Sequence, residues 1–175
     1  MLFRTRHDAP GTMSRFHANT DLFVFRQEGD VHVAEVSAER ERAVELFHAL
    51  LDEMPAQVDF AIECLRTSRR FVGEGLQRAE VEEAVARLEV PLVASGGVEV
   101  AVYTNDDQLS LSPMLDLWIY ARSDRWLYLL LGQGFEESAE LPGRTWTVAR
   151  DEFTGAPEMV EAVTAAAERL TLRLA

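Results

Sequence analysis

Two runs, Asp21-Leu-Phe-Val-Phe-Arg26 and Val31-His-Val-Ala-Glu-Val36, lie either side of Gln27-Glu-Gly-Asp30. β-branched and aromatic residues around a short glycine-containing turn read as a β-hairpin. Ser37 then offers an N-cap for a helix over 39–54, with Glu39 and Glu41 set against the positive end of its dipole. Ala43, Val44, Leu46, Phe47, Leu50, Leu51 and Met54 recur at helical spacing, and Pro55 closes the run. A hairpin followed by one amphipathic helix means that this chain builds its sheet from antiparallel pairs and lays helices on it.

The rest of the chain extends that pattern. Val58–Arg66 reads as a strand, 67–75 as a loop, and Gln77–Leu88 as a helix pointing Val81, Ala84, Val85 and Leu88 inward. Pro91 and Ser95-Gly-Gly97 interrupt it. Strands are expected at Val98–Thr104, Leu115–Arg122, Trp126–Leu131 and Thr145–Ala149, with turn chemistry at Asn105-Asp-Asp-Gln108 and Ser123-Asp124. A last helix, 157–172, opens on Pro157 with Thr154 upstream as a cap, and carries Val160, Val163, Ala167 and Leu170 on one stripe. The order ββαβαββββα predicts an α+β fold with a largely antiparallel mixed sheet of about seven strands and three helices. Residues 1–20 form a basic arm and 21–175 a single domain. Asp21-Leu-Phe-Val-Phe and Asp116-Leu-Trp-Ile-Tyr share a pattern, and each is read as opening a hairpin. No helix comparable to the first is expected after the second, so the likeness is one of strand composition.

Charge narrows the function. The 175 residues hold 17 basic and 30 acidic side chains, a net −13, and every basic one is arginine. The arm contributes three arginines against one aspartate; the remainder sets 14 against 29, or −15. Without lysine, Schiff-base, phosphate-loop and kinase-type lysine chemistry is excluded from this chain. An acidic body repels phosphates, so direct nucleic-acid binding is not expected. The same field attracts basic partners. No run approaches the roughly 18–20 apolar residues of a membrane helix, so no membrane association is expected. Cys64 stands alone, on the apolar side of its strand with Val58, Phe60 and Ile62, which fits an inert core thiol and a reducing, cytoplasmic compartment. Met1–Pro10 lacks the apolar segment of a secretory signal, and Met13 is a second possible start. A lysine-free composition is expected of a GC-rich bacterial genome.

Motifs for catalysis are sparse. His7, His17, His32 and His48 make no metal-binding spacing with one another or with Cys64, and no metal or cofactor is expected. No nucleophile elbow, dinucleotide fingerprint or phosphate loop occurs; Gly132-Gln-Gly134 is followed by acids where phosphate would sit. His48, with Glu45 before it and Asp52 after it on one helix face, is the weak alternative site, and His32 is read as facing outward from its strand. The most unusual composition lies in 116–146, which holds all three tryptophans and two of the three tyrosines. Alternation puts Asp116, Trp118, Tyr120 and Arg122 on one strand face. Rigid amphipathic rings beside arginine make a recognition surface, here Trp118, Tyr120, Arg122, Arg125, Trp126 and Tyr128. Ala162, Ala165 and Ala166 give the last helix a small-residue side suited to homodimerisation through 157–172.

The expectation is therefore a non-enzymatic cytoplasmic protein-binding domain that engages a protein partner, basic in character. Its small size, acidity and α+β make-up are shared with bacterial secretion chaperones and toxin-immunity proteins, a likeness of composition alone. The alternative is a small-ligand-binding or hydrolytic domain with a pocket between the sheet and helix 39–54.

Overall fold

The computed structural model describes residues 21–141 and 153–175. The opening hairpin is present: β1 (Leu22–Glu28) pairs antiparallel with β2 (Val31–Ser37). Gly29, at φ +66°, takes the left-handed turn position that a Cβ would strain. Helix α1 (Arg40–Asp52) follows, and its apolar stripe is buried as expected. Its N-cap is Glu39 rather than Ser37, because β2 continues through Ser37.

Beyond the hairpin, β3 (Gln57–Cys64) and β4 (Arg69–Gln77) precede α2 (Arg78–Ala86) and α3 (Glu89–Ser95). Next come β5 (Val98–Tyr103), β6 (Asp107–Leu111) and β7 (Leu117–Ala121). The chain ends with α4 (Arg125–Gly132), β8 (Glu136–Glu137), α5 (Pro157–Arg169) and β9 (Arg173–Leu174). The fold is α+β, with one mixed sheet of nine strands in the order β8-β1-β2-β7-β6-β5-β3-β4-β9 and five helices among the described residues. Among the described residues, only the short β1–β8 pairing is parallel.

Seven strands and three helices undercount this architecture. The stretch read as a loop, 67–75, is largely β4, which keeps seven paired positions with β3 despite Gly73 and Gly75. Pro91 sits in the first turn of α3, where its missing N–H costs no helical bond. Strand β6 begins at Asp107, inside the supposed turn. The run Trp126–Leu131 is helical; it is apolar on every side, so alternation cannot distinguish strand from helix there. Hence Asp116–Tyr120 opens no hairpin; a helix follows it. Thr145–Ala149 and the arm 1–20 lie outside the described residues.

One buried cluster joins all five helices to one face of the sheet. It takes Phe47, Leu50 and Leu51 from α1, Val81 and Val85 from α2, Leu92 from α3, Trp126 and Leu130 from α4, and Met159 and Val163 from α5. The strands supply Phe60 and Ile62, Val100 and Val102, Leu109 and Leu111, and Leu117 and Ile119 to that same cluster. Cys64, 1% exposed, belongs to it. Val33, Ala61 and Ala101 are also buried, yet stand outside the cluster, because they point to the opposite face. Among the described residues, that second face carries no helix.

Candidate functional site

Strand β7 is the fourth of nine in the sheet and shows its two sides clearly. Leu117, Ile119 and Ala121 are buried under the helices. Trp118 and Tyr120, two residues apart, stand on the helix-free face with ring centroids 6.3 Å apart and planes within 11°. Trp118 is half-buried and Tyr120 is 37% exposed. A centrally paired strand holds both rings rigidly, so their ordering has already been met in folding.

The registers set their neighbours in rows across the strands. Trp118 lies opposite Glu35 on one side and Ser110 on the other, and the row continues through Ala101, Ala61 and Val72. Tyr120 lies between Val33 and Gln108, and its row runs on through Tyr103 to Asp59. Gln108 Nε2 donates to Ser110 Oγ at 2.7 Å, tying the rows together. On the far side of the small residues stand Arg70, Glu63 and Glu99. Tyr103 and Gln108 are neighbours of this pair that sequence reasoning missed; the alternation of Val98–Tyr103 was the available signal for the first, and misreading Gln108 as turn hid the second.

The six residues read from sequence as one surface divide among three places. Trp118 and Tyr120 share the open face. Arg122 stands at its rim, paired with Asp30 at 3.1 Å and Asp106 at 3.7 Å. Arg125, Trp126 and Tyr128 belong to α4, in the helical layer. Trp126 is fully buried, and its indole N–H donates to Asp107 Oδ1 at 3.0 Å. Arg125 donates to Asp107 Oδ2 at 2.7 Å and lies over the Trp126 ring at 4.5 Å. Both carboxylate oxygens of Asp107 are thus used in anchoring α4 to β6. Tyr128 is 64% exposed and points away from the aromatic face. Trp146 lies outside the described residues.

Both carboxylates of the weak alternative site have arginine partners. Glu45 pairs with Arg42 at 3.7 Å and Asp52 with Arg78 at 2.6 Å. His48 turns instead towards α2 and α3, where Glu89 and Glu82 act on its charge and its Nε2 is buried without a partner. Burial holds its pKa below the ordinary 6.5, although the two glutamates pull the other way. The folded protein therefore binds this proton less readily than the unfolded chain. Its contribution to stability is present above the ordinary value and is lost as pH falls below it. Thermal midpoints should fall by a few degrees between pH 7.5 and 5.5, and His48→Leu should lessen that fall. His32 also differs from expectation: it shares the helix-side face with Ala34, stacks on Phe25 at 5.5 Å, and it is Val33 that faces outward.

No group of three His, Cys, Asp or Glu side chains suited to a metal occurs among the described residues. A cleft of about 780 Å3 opens where Asp59, Tyr103, Asn105, Asp106, Arg122 and Ser123 meet at the end of the sheet. No family model, curated protein or solved structure matches the chain. Function is therefore argued from the face itself. Among the described residues no helix is long and apolar enough to cross a membrane. The alanine side of α5 is partly used within the chain: Ala166 is buried and Ala162 packs on the core, which leaves Ala165 exposed.

Proposed function

We propose that this chain is a non-enzymatic cytoplasmic protein-binding domain whose partner docks on the helix-free sheet face around Trp118 and Tyr120. The observation that carries this reading is the stacked, part-exposed pair standing on a face that no described helix covers. Large aromatic residues on a rigid base dominate the binding energy of interfaces. The surrounding acidity, −15 over residues 21–175, favours encounter with a basic protein. Carboxylates near the face are engaged structurally: Asp107 holds α4, and Asp106 meets Arg122. Adaptor, chaperone and immunity-like roles would all use such a surface.

The test places a photo-crosslinking side chain at position 120, with a second chain carrying it at position 128 as control. Position 120 should capture one partner in cells or native extract, more strongly at low salt, and Trp118→Ala should reduce capture at least tenfold while the fold melts cooperatively. Equal capture from position 128, or capture that survives Trp118→Ala, would sink the proposal.

A second reading, a small-ligand domain, is favoured by the polar cleft at the sheet end. It would use Arg122, Tyr103 and Asp59, not His48. Loss of a bound small molecule in Arg122→Ala with Trp118→Ala unaffected would select it.

A further inference from the structure

We infer that the cleft at the end of the sheet binds a neutral oligosaccharide of two or three rings. The inference rests on the small-ligand reading of that cleft, names its ligand class, and stands apart from the aromatic docking face.

Asp59 on β3, Tyr103 on β5 and Arg122, just past β7, line the cleft of about 780 Å3. Small-molecule sites commonly enclose about 300–1,000 Å3. Strands β7, β6, β5 and β3 lie side by side in that order. Three spacings of about 4.8 Å therefore separate β7 from β3, roughly 14 Å, with Tyr103 between them. A single sugar is too short to touch both Asp59 and Arg122, whereas two or three linked rings span the gap.

The rim is tied down by its own hydrogen bonds. Thr104 Oγ1 accepts from the N–H groups of Asp106 and Asp107 at 3.2 and 2.9 Å, and the Arg122 N–H donates to the Asp106 carbonyl at 3.0 Å. These bonds fix the turn that carries Asn105 against the end of β7. The Gly75 N–H donates to Asp59 Oδ1 at 2.8 Å and orients that carboxylate. Groups held in this way need little ordering when a ligand arrives.

The lining selects a ligand that is polar and uncharged. Among the described residues, the Tyr103, Asn105 and Ser123 side chains have no hydrogen-bond partner, and Asp59 has no cationic one. An apolar ligand would cover these groups without answering them. An anion would meet arginines that are already paired, Arg122 with Asp30 and Asp106 and Arg125 with Asp107, in a domain of −15. A cation would find Asp106 and Asp107 answered by the same arginines. Three aspartates stand against two arginines in the lining, close to balance. A sugar hydroxyl both donates and accepts. One polyol can therefore give a hydrogen to Asp59, accept from Arg122, and do both with Asn105 and Ser123. The flat Tyr103 ring suits the C–H side of a sugar ring.

The experiment titrates the full, isotope-labelled chain with maltose, cellobiose and diacetylchitobiose and with the corresponding trisaccharides. Phosphate, putrescine and indole serve as anionic, cationic and apolar controls. At least one saccharide should bind at millimolar concentration or below, shift the amide resonances of Asp59, Tyr103, Asn105 and Ser123, and keep its affinity as salt rises. Tyr103→Ala should weaken binding at least tenfold, while Tyr103→Phe keeps most of it. Asp59→Asn, whose amide oxygen still accepts from Gly75, should weaken it several-fold, and Trp118→Ala should leave it unchanged. Should Tyr103→Ala misfold, Asn105→Ala in the exposed turn takes its place, with a several-fold loss. No saccharide binding, binding that falls with salt, or shifts confined to other surfaces would overturn the inference. Phosphate or putrescine binding that Arg122→Ala or Asp59→Asn removes would keep a small-ligand cleft and overturn the sugar. If every probe fails while position 120 still captures a partner, the cleft reading falls and the docking face stands.

Discussion

Trp126→Ala should destabilise the protein by about 3–5 kcal/mol, the usual range for deleting a large aromatic ring from a packed core. Total stabilities are about 5–15 kcal/mol, so this single change removes a large share. The side chain has no exposed surface, and its loss leaves a cavity between α4 and the sheet. It also strips Asp107, itself only 9% exposed, of one of its two anchoring bonds. The Arg125 guanidinium, which lies over the indole ring, loses its platform in the same step. Trp118→Ala should cost less, about 1–3 kcal/mol, because that ring is only partly buried and keeps some of its surface in solvent. Urea melts of the two variants make the comparison. Two tryptophans eight positions apart, one fully buried and one part-exposed, follow from the layer each occupies. Equal losses would mean that the layers are assigned wrongly.

That separation was not legible from the chain. Arg125-Trp-Leu-Tyr-Leu-Leu-Leu-Gly132 is apolar in every direction, so neither period stands out. Its cue was composition: leucine favours helix, and the run lacks the valine, isoleucine and threonine that mark strands. Reading it as a strand placed Trp126 on a sheet surface, whereas it is helical and fully buried. The opening hairpin and α1 were legible because their signals are local: a glycine turn, and an apolar stripe at steps of three and four. Trp118 and Tyr120 were placed on a common strand face correctly, since alternation needs only the strand itself. Which face the helices would cover is decided by packing between distant segments. Val31 and Val33 look like a core pair, yet it is Ala34 and Val36 that join the buried cluster under the helices. Strand β4 was hidden by its two glycines, one of which has a packing role: a Cβ at Gly73 would come within 2.6 Å of Leu172 Cδ2.

Gly97→Ala should destabilise the protein by about 2–4 kcal/mol, for two separable reasons. Gly97 has φ +72°, where a Cβ adds roughly 1–2 kcal/mol of backbone strain. The added methyl would also collide with Arg66 Nη1 and come within 2.6 Å of Phe153 Cδ1, and overpacking of that kind costs about 1–3 kcal/mol. Gly29→Ala isolates the first cause, because Gly29 has φ +66° with open space around its missing Cβ, and its loss should stay near the strain alone. The collision matters because Gly97 closes a joint. Its N–H donates to the Pro113 carbonyl at 2.8 Å, and its own carbonyl accepts from Leu65 N at 3.0 Å. Arg66 donates to the Gly96 carbonyl at 2.6 Å and to the Ser95 carbonyl at 2.8 Å, with its guanidinium over the Phe153 ring at 5.7 Å. Removing Arg66 should therefore relieve part of the Gly97→Ala penalty, giving a double-mutant coupling of about 0.5 kcal/mol or more, measurable from the four denaturation curves. Additive losses would mean that strain alone sets the cost. The joint starts β5, whose register against β3 and β6 puts Ala101 between Ala61 and Ser110. A shift of one residue there would turn Ala101 towards the core and Val100 or Val102 onto the opposite sheet face. The glycine joint at the head of β5 thus helps to keep Ala101, rather than a larger valine, in the row beside Trp118.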